Sequence, residues 1–334
     1  MGSNRRRGPK RHGGPPIEEA RARSKEMDDD ARDRAINRFN RIPPTMGSLP
    51  DLDPPPARIE FEWQNLPIPL SEERTAAKVL IRRGEFGWVE DERIEEIKQG
   101  IEGLQMTLEQ ALSLRSALLQ EKVVYTHRRM QSRGKEMAGL YESGTSILEL
   151  SKRFDFAPMN IFRQILVERR WSKAKIRDML REPKRLPERD RAEFQSAEEA
   201  DRVANVDQSE THVRADRFED ILASWFEGQG VRLRRQEDLV RDQQEEHGRP
   251  VRTPDLLFLD DVRINGQPIA WIDAKHFYGA DVGFQRKKVI KQMNRYAEEW
   301  GQGAIVFRHG FCANLHIPCT VLLDRGPLDL SSMA

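Results

Sequence analysis

The residue types best suited to chemistry in this chain are two aspartates and a lysine on two neighbouring apolar segments. Asp255 opens the run TPDLLFL (253–259), and Asp273 and Lys275 stand in PIAWIDAKHF (268–277). Residues two apart on a strand share one face, so Asp273 and Lys275 are predicted to point the same way. Two carboxylates can hold Mg²⁺ or Mn²⁺, and a lysine can stabilise or deprotonate the water that attacks a phosphodiester.

A third acid comes from the segment that precedes these strands. Residues 214–230 have the pattern of an amphipathic helix, with Glu219 beside its apolar stripe. The predicted stripe consists of Phe218, Ile221, Leu222, Trp225 and Phe226. An isolated Asp-x-Lys is usually a solvated surface pair, but this one follows Trp271 and Ile272, where an unpaired charge is costly. The predicted catalytic set is Glu219, Asp255, Asp273 and Lys275, with the three acids as metal ligands.

Strand parity makes a geometric demand on this set. If Asn265 and Gly266 formed a two-residue hairpin loop between regular strands, Asp255 would pair with His276. Asp255 would then share a face with His276, which we interpret as structural, and would lie on the opposite face from Asp273 and Lys275. We therefore predict an odd-length loop or a β-bulge between Leu259 and Pro268, which would let the two carboxylates converge on one cation.

The segment FQRKKVIKQMNRYAEEW (284–300) has the pattern of a helix directly after the Asp-x-Lys strand. Gln292 and Tyr296 are four residues apart on one face. Their Gln-x3-Tyr arrangement resembles that of many PD-(D/E)xK nucleases, and the resemblance implies that they are auxiliary site residues. An adjacent basic row is predicted to contact nucleic-acid phosphates; it consists of Lys287, Lys291 and Arg295. The structural alternative for this row is a solvated helix face.

The segment SILELSKRFDFAPMNIFRQILVERR (146–170) is typical of a helix-turn-helix. The predicted buried residues are Ile147, Leu150, Phe154, Phe162, Ile165 and Leu166. The opposite face of the second helix is predicted to present Asn160, Arg163 and Gln164 to base edges or phosphates. An ordinary helical hairpin with a basic solvated face explains the same pattern, and both interpretations stay open.

The order of helix Glu, Pro-Asp and Asp-x-Lys resembles the core of the PD-(D/E)xK nuclease superfamily. Within it, the runs TPDLLF, WIDAKHF, QMNRY, GQGAIV and the pair GF at 310–311 resemble the TPD-motif family, which includes the codanin-interacting nuclease. The similarity runs from about Thr107 to Arg325. One difference is Asp273, where the family often has Glu. The resemblance implies a restriction-endonuclease-like fold, Mg²⁺ or Mn²⁺, helix-turn-helix elements, a nuclear or cytoplasmic location and a codanin-like protein partner.

Composition limits the protein classes that fit. The chain has 334 residues, 56 Lys plus Arg against 55 Asp plus Glu, and a net charge of +1, so attraction to nucleic acid must come from local patches. No apolar run approaches the roughly 18 residues that cross a bilayer, so we expect no membrane insertion. Two cysteines cannot make a disulfide framework, which favours a reducing compartment.

The predicted architecture is an α+β multidomain protein. We expect a disordered basic and Pro-rich arm at 1–65, with a short helix between Ile17 and Phe39, and an all-α domain with the helix-turn-helix at 66–190. A connecting helix or linker follows at 191–211. The α/β restriction-endonuclease-like domain is predicted at 212–326, and a tail at 327–334.

The predicted function is a metal-dependent nuclease that hydrolyses phosphodiester bonds of nucleic acid, with DNA as the expected substrate, although the residues themselves do not distinguish DNA from RNA. The alternative is a nuclease-shaped scaffold that binds nucleic acid and a codanin-like partner without turnover. A helix-turn-helix regulator would leave the acid and lysine set unexplained. A minority alternative is a zinc site made of His309, Cys312, His316 and Cys319, although their spacing lacks the paired Cys-x-x-Cys pattern of zinc sites.

Overall fold

The computed structural model describes residues 17–40, 52–201, 203 and 208–333. These residues form twelve α-helices and one six-stranded mixed sheet. The helices are α1 Ile17–Ile36, α2 Leu70–Leu80, α3 Asp91–Gly100, α4 Leu108–Ser132, α5 Gly134–Glu142, α6 Ile147–Phe154, α7 Pro158–Glu168, α8 Lys173–Arg181, α9 Glu188–Glu199, α10 Gln208–Gly228, α11 Gln236–His247 and α12 Gly283–Trp300. The strands are β1 Arg58–Phe61, β2 Leu233–Arg235, β3 Leu256–Ile264, β4 Gln267–Lys275, β5 Gly303–Phe307 and β6 Thr320–Leu323. No helix in these ranges is long and apolar enough to span a bilayer.

The sheet is built around the antiparallel pair β3 and β4. Strands β4, β5 and β6 run parallel to one another, so their carboxyl ends meet at one edge. The outer side of β3 is shared by two strands: β2 pairs antiparallel with Leu256–Phe258, and β1 pairs parallel with Asp261–Ile264. The mixed α/β architecture agrees with the predicted α+β class.

Both faces of the sheet are covered by helices. On one face Trp271 lies in a core that includes Met293 and Trp300 of α12 and residues of α1 to α4. On the other face the apolar stripe of α10, including Phe218 and Phe226, packs against β3, β4 and β5. Helices α2 to α4 therefore share a core with the sheet, and the predicted boundary between a helical domain and an α/β domain near residue 190 was wrong for them.

The amino-terminal segment is more ordered than predicted. The short helix expected between Ile17 and Phe39 is α1, and its Ala31 and Ala35 are buried in the sheet's core. Residues 58–61 supply β1, an added strand of the sheet. The prediction of a disordered arm was wrong for these parts because their contacts are with residues more than 200 positions later, which a local composition count does not see. The basic cluster at 5–11 lies outside the described residues.

A bulge in β3 meets the parity requirement. Next to the two-residue turn, Ile264 pairs with Gln267 and Val262 with Ile269, but Leu256 pairs with Ile272. The register shifts between Leu257 and Val262, where β3 carries three more residues than β4. The same register brings Asp255 opposite Asp273, on a common face. The predicted bulge is confirmed.

Asp260 anchors this bulge. Its carboxylate is 1% exposed and accepts hydrogen bonds from the Ala57 and Arg232 backbone N–H groups at 2.9 and 2.8 Å. The Arg232 guanidinium donates to the same carboxylate at 2.6 Å. Burial raises the pKa of Asp260, but these hydrogen bonds outweigh it and hold the pKa below its ordinary value. The extra residues are thus tied to the entrances of both β1 and β2.

The helix-turn-helix is formed by α6 and α7. Ser146 and Glu149 make a capping box at the start of α6, and Asp155 ends it in the left-handed conformation before Pro158 opens α7. The buried residues predicted for both helices are confirmed. With α5, α8 and α9 they surround a separate core, the helical subdomain.

One face prediction for α7 was wrong. Gln164 is buried, donates to Glu168 at 2.9 Å and lies against Gly134, where α5 comes so close that a Cβ would be 2.7 Å from its amide nitrogen. Asn160 and Arg163 are half-buried. Helix α7 is enclosed by its neighbours on most sides. Gln164 can be buried there because its amide is hydrogen-bonded.

Helix α11 was missed. Its sequence, QEDLVRDQQEEH, is too polar to show an apolar stripe, yet Leu239 and Gln243 anchor it to the protein. Gln243 accepts from the Val251 and Arg252 N–H groups at 2.8 and 2.9 Å, which fixes the segment that leads to Asp255. Helix α10 also begins earlier than expected, at Gln208.

Candidate active site

Asp255 lies immediately before β3, at the entrance to the sheet. Its Oδ1 accepts from Gln236 Nε2 at 2.9 Å, and its Oδ2 accepts from the Ala274 N–H at 2.6 Å. The second bond ties Asp255 to the neighbouring strand between Asp273 and Lys275. Gln236, the first residue of the missed helix α11, is a site residue that the sequence interpretation did not find.

Asp273 and Lys275 form a buried ion pair on β4. Asp273 is fully buried; its Oδ1 accepts from Gln292 Nε2 at 3.0 Å, and its Oδ2 pairs with the Lys275 ammonium but accepts no hydrogen bond. Lys275 Nζ also donates to Gln292 Oε1 at 3.3 Å. Gln292 therefore positions the acid and the lysine together, consistent with the auxiliary role predicted for it.

Tyr296 extends this arrangement by one turn of α12. Its hydroxyl accepts from Gln292 Nε2 at 3.2 Å and donates to the Thr253 carbonyl at 3.0 Å. Burial and the charge of Asp273 raise the pKa of Tyr296, so the phenol stays protonated. The predicted pair Gln292 and Tyr296 thus links β4 to the Thr-Pro-Asp segment.

The three acids repel one another. Burial, followed by the charges of Asp273 and Glu219, raises the pKa of Asp255 well above its ordinary value. Burial raises the pKa of Asp273 although the Lys275 ammonium opposes it. For Glu219, burial and the neighbouring Asp216 and Asp273 raise the pKa to about 7. A cluster of carboxylates that resist ionisation in each other's presence is stabilised by a bound cation.

Lys275 responds to the same cluster in the opposite way. Burial lowers its pKa, but the carboxylates of Asp273 and Asp255 outweigh burial and raise it. The side chain is therefore an ammonium at neutral pH. Of the two roles that the sequence left open, this favours charge stabilisation over deprotonation of water.

A cleft of about 240 Å³ opens onto the acids. It is lined by Asp216, Glu219, Asp220, Ala223, Arg235, Gln236, Glu237, Asp255 and Leu256. Asp216 and Asp220 had not been singled out, although their spacing around Glu219 on α10 places all three acids on one helix face. An acidic cleft of this kind admits cations readily and repels a phosphate unless cations are bound.

The donor set fits Mg²⁺ or Mn²⁺ in its chemistry. The candidate ligands are hard carboxylate oxygens, and Asp273 Oδ2 is buried with the Lys275 ammonium as its partner. However, in the described part of the chain no three His, Cys, Asp or Glu side chains are grouped closely enough to hold a metal ion. Joint coordination by Asp255, Asp273 and Glu219 therefore stays a prediction.

The predicted nucleic-acid contacts fall in two places. Lys287, Lys291 and Arg295 are exposed on α12, the helix that carries Gln292 and Tyr296. Arg295 is also tied to the Val251 carbonyl. Asn160 and Arg163 belong to the helical subdomain, whose core is distinct from that of the sheet.

The zinc alternative is not supported. Cys312 is buried among core residues of the sheet, and Cys319 contacts the Met27 carbonyl on α1 at 3.4 Å. His316 contacts Ser24 of α1 at 3.2 Å, whereas His309 stacks against His276 at a centroid distance of 5.6 Å. The four residues are close in sequence but contact different parts of the structure.

Comparison with known proteins finds similarity in the carboxyl-terminal part of the chain. Residues 186–325 match the family model described as "Protein of unknown function TPD sequence-motif". An uncharacterized protein of Acanthamoeba polyphaga mimivirus is 32% identical over 115 residues, a match that covers 33% of this chain and 40% of the viral protein. No solved structure matches. The matched region contains every candidate residue of the acid and lysine cluster.

Proposed function

We propose that this protein is a metal-dependent nuclease. The observation that carries the proposal is the convergence of Asp255, Asp273 and Lys275 on one face at the end of an otherwise apolar strand pair. Buried charges of this kind are costly for stability, so a protein without a use for them gains nothing by having them. The order of α10, β2, β3, β4 and α12 is also that of the PD-(D/E)xK nucleases, which the TPD sequence resembles.

In the proposed reaction, Asp255, Asp273 and Glu219 would hold Mg²⁺ or Mn²⁺, which supplies charge neutralisation and activation of water. Lys275, as an ammonium, would stabilise the negative charge that develops on the scissile phosphate. Gln292 would keep Lys275 and Asp273 oriented, since it hydrogen-bonds both. The acidic lining of the cleft would reject phosphate before the cation is in place.

A non-catalytic scaffold is the second candidate. It is favoured by one observation: in the part of the chain that the structure describes, the acids are not grouped as a ready metal site, and Lys275 neutralises Asp273 instead. Such a scaffold would bind nucleic acid and a codanin-like protein without cleaving either. For either function we propose a nuclear or cytoplasmic location.

One experiment separates the two candidates. The purified protein is incubated with labelled single-stranded, duplex and branched DNA, and with RNA, in the presence of Mg²⁺, Mn²⁺ or EDTA. Cleavage that requires the cation and disappears with EDTA supports the nuclease. Binding of the same substrates without any cleavage in either cation would support the scaffold.

Metal-dependent activity is expected to rise with pH through about 7. Burial and neighbouring acids raise the pKa of Glu219 to about 7, so its carboxylate becomes available as a ligand only as pH increases through that value. The measurement is the cleavage rate against pH at constant Mn²⁺. Glu219→Gln should lower the rate and flatten this profile near pH 7, and an unchanged profile would exclude Glu219 as a ligand.

The basic row on α12 is expected to supply phosphate contacts. Replacing Lys287, Lys291 and Arg295 together with Gln should weaken binding of all DNA sequences alike and reduce the salt dependence of binding, because fewer counterions are released. Anisotropy titrations at several salt concentrations measure this. The matched control is Lys135→Gln, Lys173→Gln and Lys184→Gln in the helical subdomain, and an equal loss in both triple variants would reject a specific role for the row.

A further inference from the structure

A second cleft lies beyond the carboxyl ends of the parallel strands. It measures about 470 Å³ and is lined by Leu66, Ile68, Gln105, Thr107, Leu108, Glu109, Gln110, Arg308, His309, Gly310, Asp324 and Arg325. Strands β5 and β6 end immediately before its basic residues, and the start of α4 closes the opposite wall. Crevices outside the carboxyl ends of parallel strands are favoured ligand sites in α/β proteins.

Arg308 is the central cation of this cleft. It is half-buried, and in the described part of the chain its one side-chain hydrogen bond goes to the His276 ring nitrogen, with no carboxylate in ion-pair distance. A guanidinium has five N–H donors, so most of those on Arg308 lack a protein acceptor. Burial and the cations Arg214 and Arg325 lower the pKa of Arg308, although Glu109 opposes them.

The acids of the cleft do not neutralise Arg308. Asp324 accepts from the Leu66 and Gly326 N–H groups, each at 2.7 Å, so its carboxylate is already occupied. Glu109 is 70% exposed at its side chain and lies 3.8 Å from His309 Nδ1. Burial and the charge of Arg308 lower the pKa of His309 to about 4, so at neutral pH its ring is a neutral hydrogen-bonding group. The deep wall is therefore positively charged and rich in donors, which suits an anion.

The cleft is adjacent to the acid and lysine cluster. The backbone N–H of Arg308 donates to the backbone carbonyl of Lys275 at 2.9 Å. His276, the residue after Lys275, contacts the side chains of both Arg308 and His309. His276 is three positions after Asp273, so their Cα atoms are roughly 10 Å apart along the extended chain. One sheet edge thus carries an acidic cleft on one side and a basic cleft on the other.

We propose that Arg308, His309 and Arg325 form a phosphate-binding cleft that holds a non-reacting phosphate of the nucleic-acid substrate. The inference rests on the proposed nuclease function and adds to it a subsite that sets the position of the chain. The reacting phosphate lies at the acids, where cations compensate their charge, and a neighbouring phosphate lies against Arg308. Arg325 is exposed at the rim and guides the phosphate in.

The test is a binding measurement that does not depend on cleavage. A short fluorescent single-stranded DNA is titrated without divalent metal into the full-length protein, Arg308→Gln, Arg325→Gln and the control Arg241→Gln. Arg241 is an exposed arginine on α11 that pairs with Asp238 at 2.9 Å. We expect roughly tenfold to hundredfold weaker binding for Arg308→Gln, a smaller loss for Arg325→Gln and none for the control.

Inorganic phosphate and the chemistry of the DNA end identify the ligand. Phosphate should displace the DNA from the unchanged protein and have far less effect on Arg308→Gln. If DNA with a 5′-phosphate binds better than DNA with a 5′-hydroxyl, and Arg308→Gln removes the difference, the cleft binds a terminal phosphate. If both forms bind equally well and both lose affinity in Arg308→Gln, the cleft binds an internal phosphodiester.

Two results would overturn the inference. One is unchanged DNA affinity in both Arg308→Gln and Arg325→Gln, whether or not the protein cleaves DNA. The other is a loss of affinity in Arg308→Gln alone that is accompanied by a lowered melting temperature. Such a result would assign the loss to misfolding, because the Arg325 side chain makes no hydrogen bond or ion pair with the described residues and its substitution would then be without effect. Phosphate-sensitive binding in a protein that never cleaves would retain the cleft and reject the nuclease.

Discussion

Asp273→Asn and Asp255→Asn are each expected to reduce metal-dependent cleavage by more than about 100-fold. Each substitution removes a ligand charge without changing side-chain volume, and Asp255 and Asp273 are the two buried acids of the cluster. Cleavage rates at saturating Mn²⁺ and metal affinities from calorimetry measure the effect. The melting temperature of Asp255→Asn should stay close to that of the unchanged protein, since a buried acid with a raised pKa gains little from ionisation. Asp273→Asn should lower it, because the Lys275 ammonium loses its buried partner.

The controls for this prediction separate metal binding from catalysis. Asp329→Asn changes an exposed acid outside the cluster and should leave the rate unchanged. Lys275→Ala should reduce turnover by about 100-fold or more, because it removes the ammonium that would stabilise charge on the scissile phosphate. Metal affinity should be kept, because the substitution leaves the carboxylates in place and removes only the cation that pairs with Asp273. Full activity in either Asn variant would reject the assignment of the site, and loss of metal binding in Lys275→Ala would reject the role given to the lysine.

Asp260→Ala is expected to lower the free energy of unfolding by about 3–5 kcal/mol. The substitution leaves the Ala57 and Arg232 N–H groups and the Arg232 guanidinium without their acceptor at a nearly fully buried position. Denaturant titrations followed by circular dichroism measure the change. Because Asp260 anchors the bulge that brings Asp255 opposite Asp273, we also expect cleavage to fall under conditions where the variant is still folded.

The neighbouring residue gives a matched control. Asp261 pairs with the 62% exposed Arg58 at 2.9 Å and with the more buried Arg263 at 3.4 Å, and it accepts no backbone N–H from the described residues, so Asp261→Ala should cost less than Asp260→Ala. The contribution of Asp260 is also expected to depend on pH. Since its pKa in the folded protein is below the ordinary 3.8, its stabilisation is complete above that value and is lost as pH falls through the lower folded value. Equal losses in Asp260→Ala and Asp261→Ala would reject the anchoring role.

Local patterns predicted the elements of this protein well. The apolar stripe of α10, the helix α12 and the paired segments around Asp255 and Asp273 each have a period that a single segment can show. The spacing of Asp273 and Lys275 on one strand was enough to place them on one face. Parity alone also required an irregularity in β3, although it allowed a longer loop or a bulge.

Contacts between distant segments decided the rest. Only the tertiary structure shows that the irregularity is a bulge and not a longer loop. The bulge depends on Asp260, whose carboxylate accepts hydrogen bonds from the backbone N–H groups of Ala57 and Arg232. Gln236 could not be recognised as a partner of Asp255, since its helix is too polar to be told from a loop. Arg308 had no pattern of its own, and its role depends on three strands ending at one edge.

The sequence by itself determined which residue types stand on which element and, through the period of two along a strand, which of them share a face. The tertiary structure decided which elements meet: it placed α1 in the sheet's core, added β1 beside β3, buried Gln164 and separated the four residues of the alternative zinc site. The physical reason is that periodicity is a property of a single segment. Burial and charge pairing instead depend on neighbours up to hundreds of residues away, and their free energies are settled only when the whole chain packs.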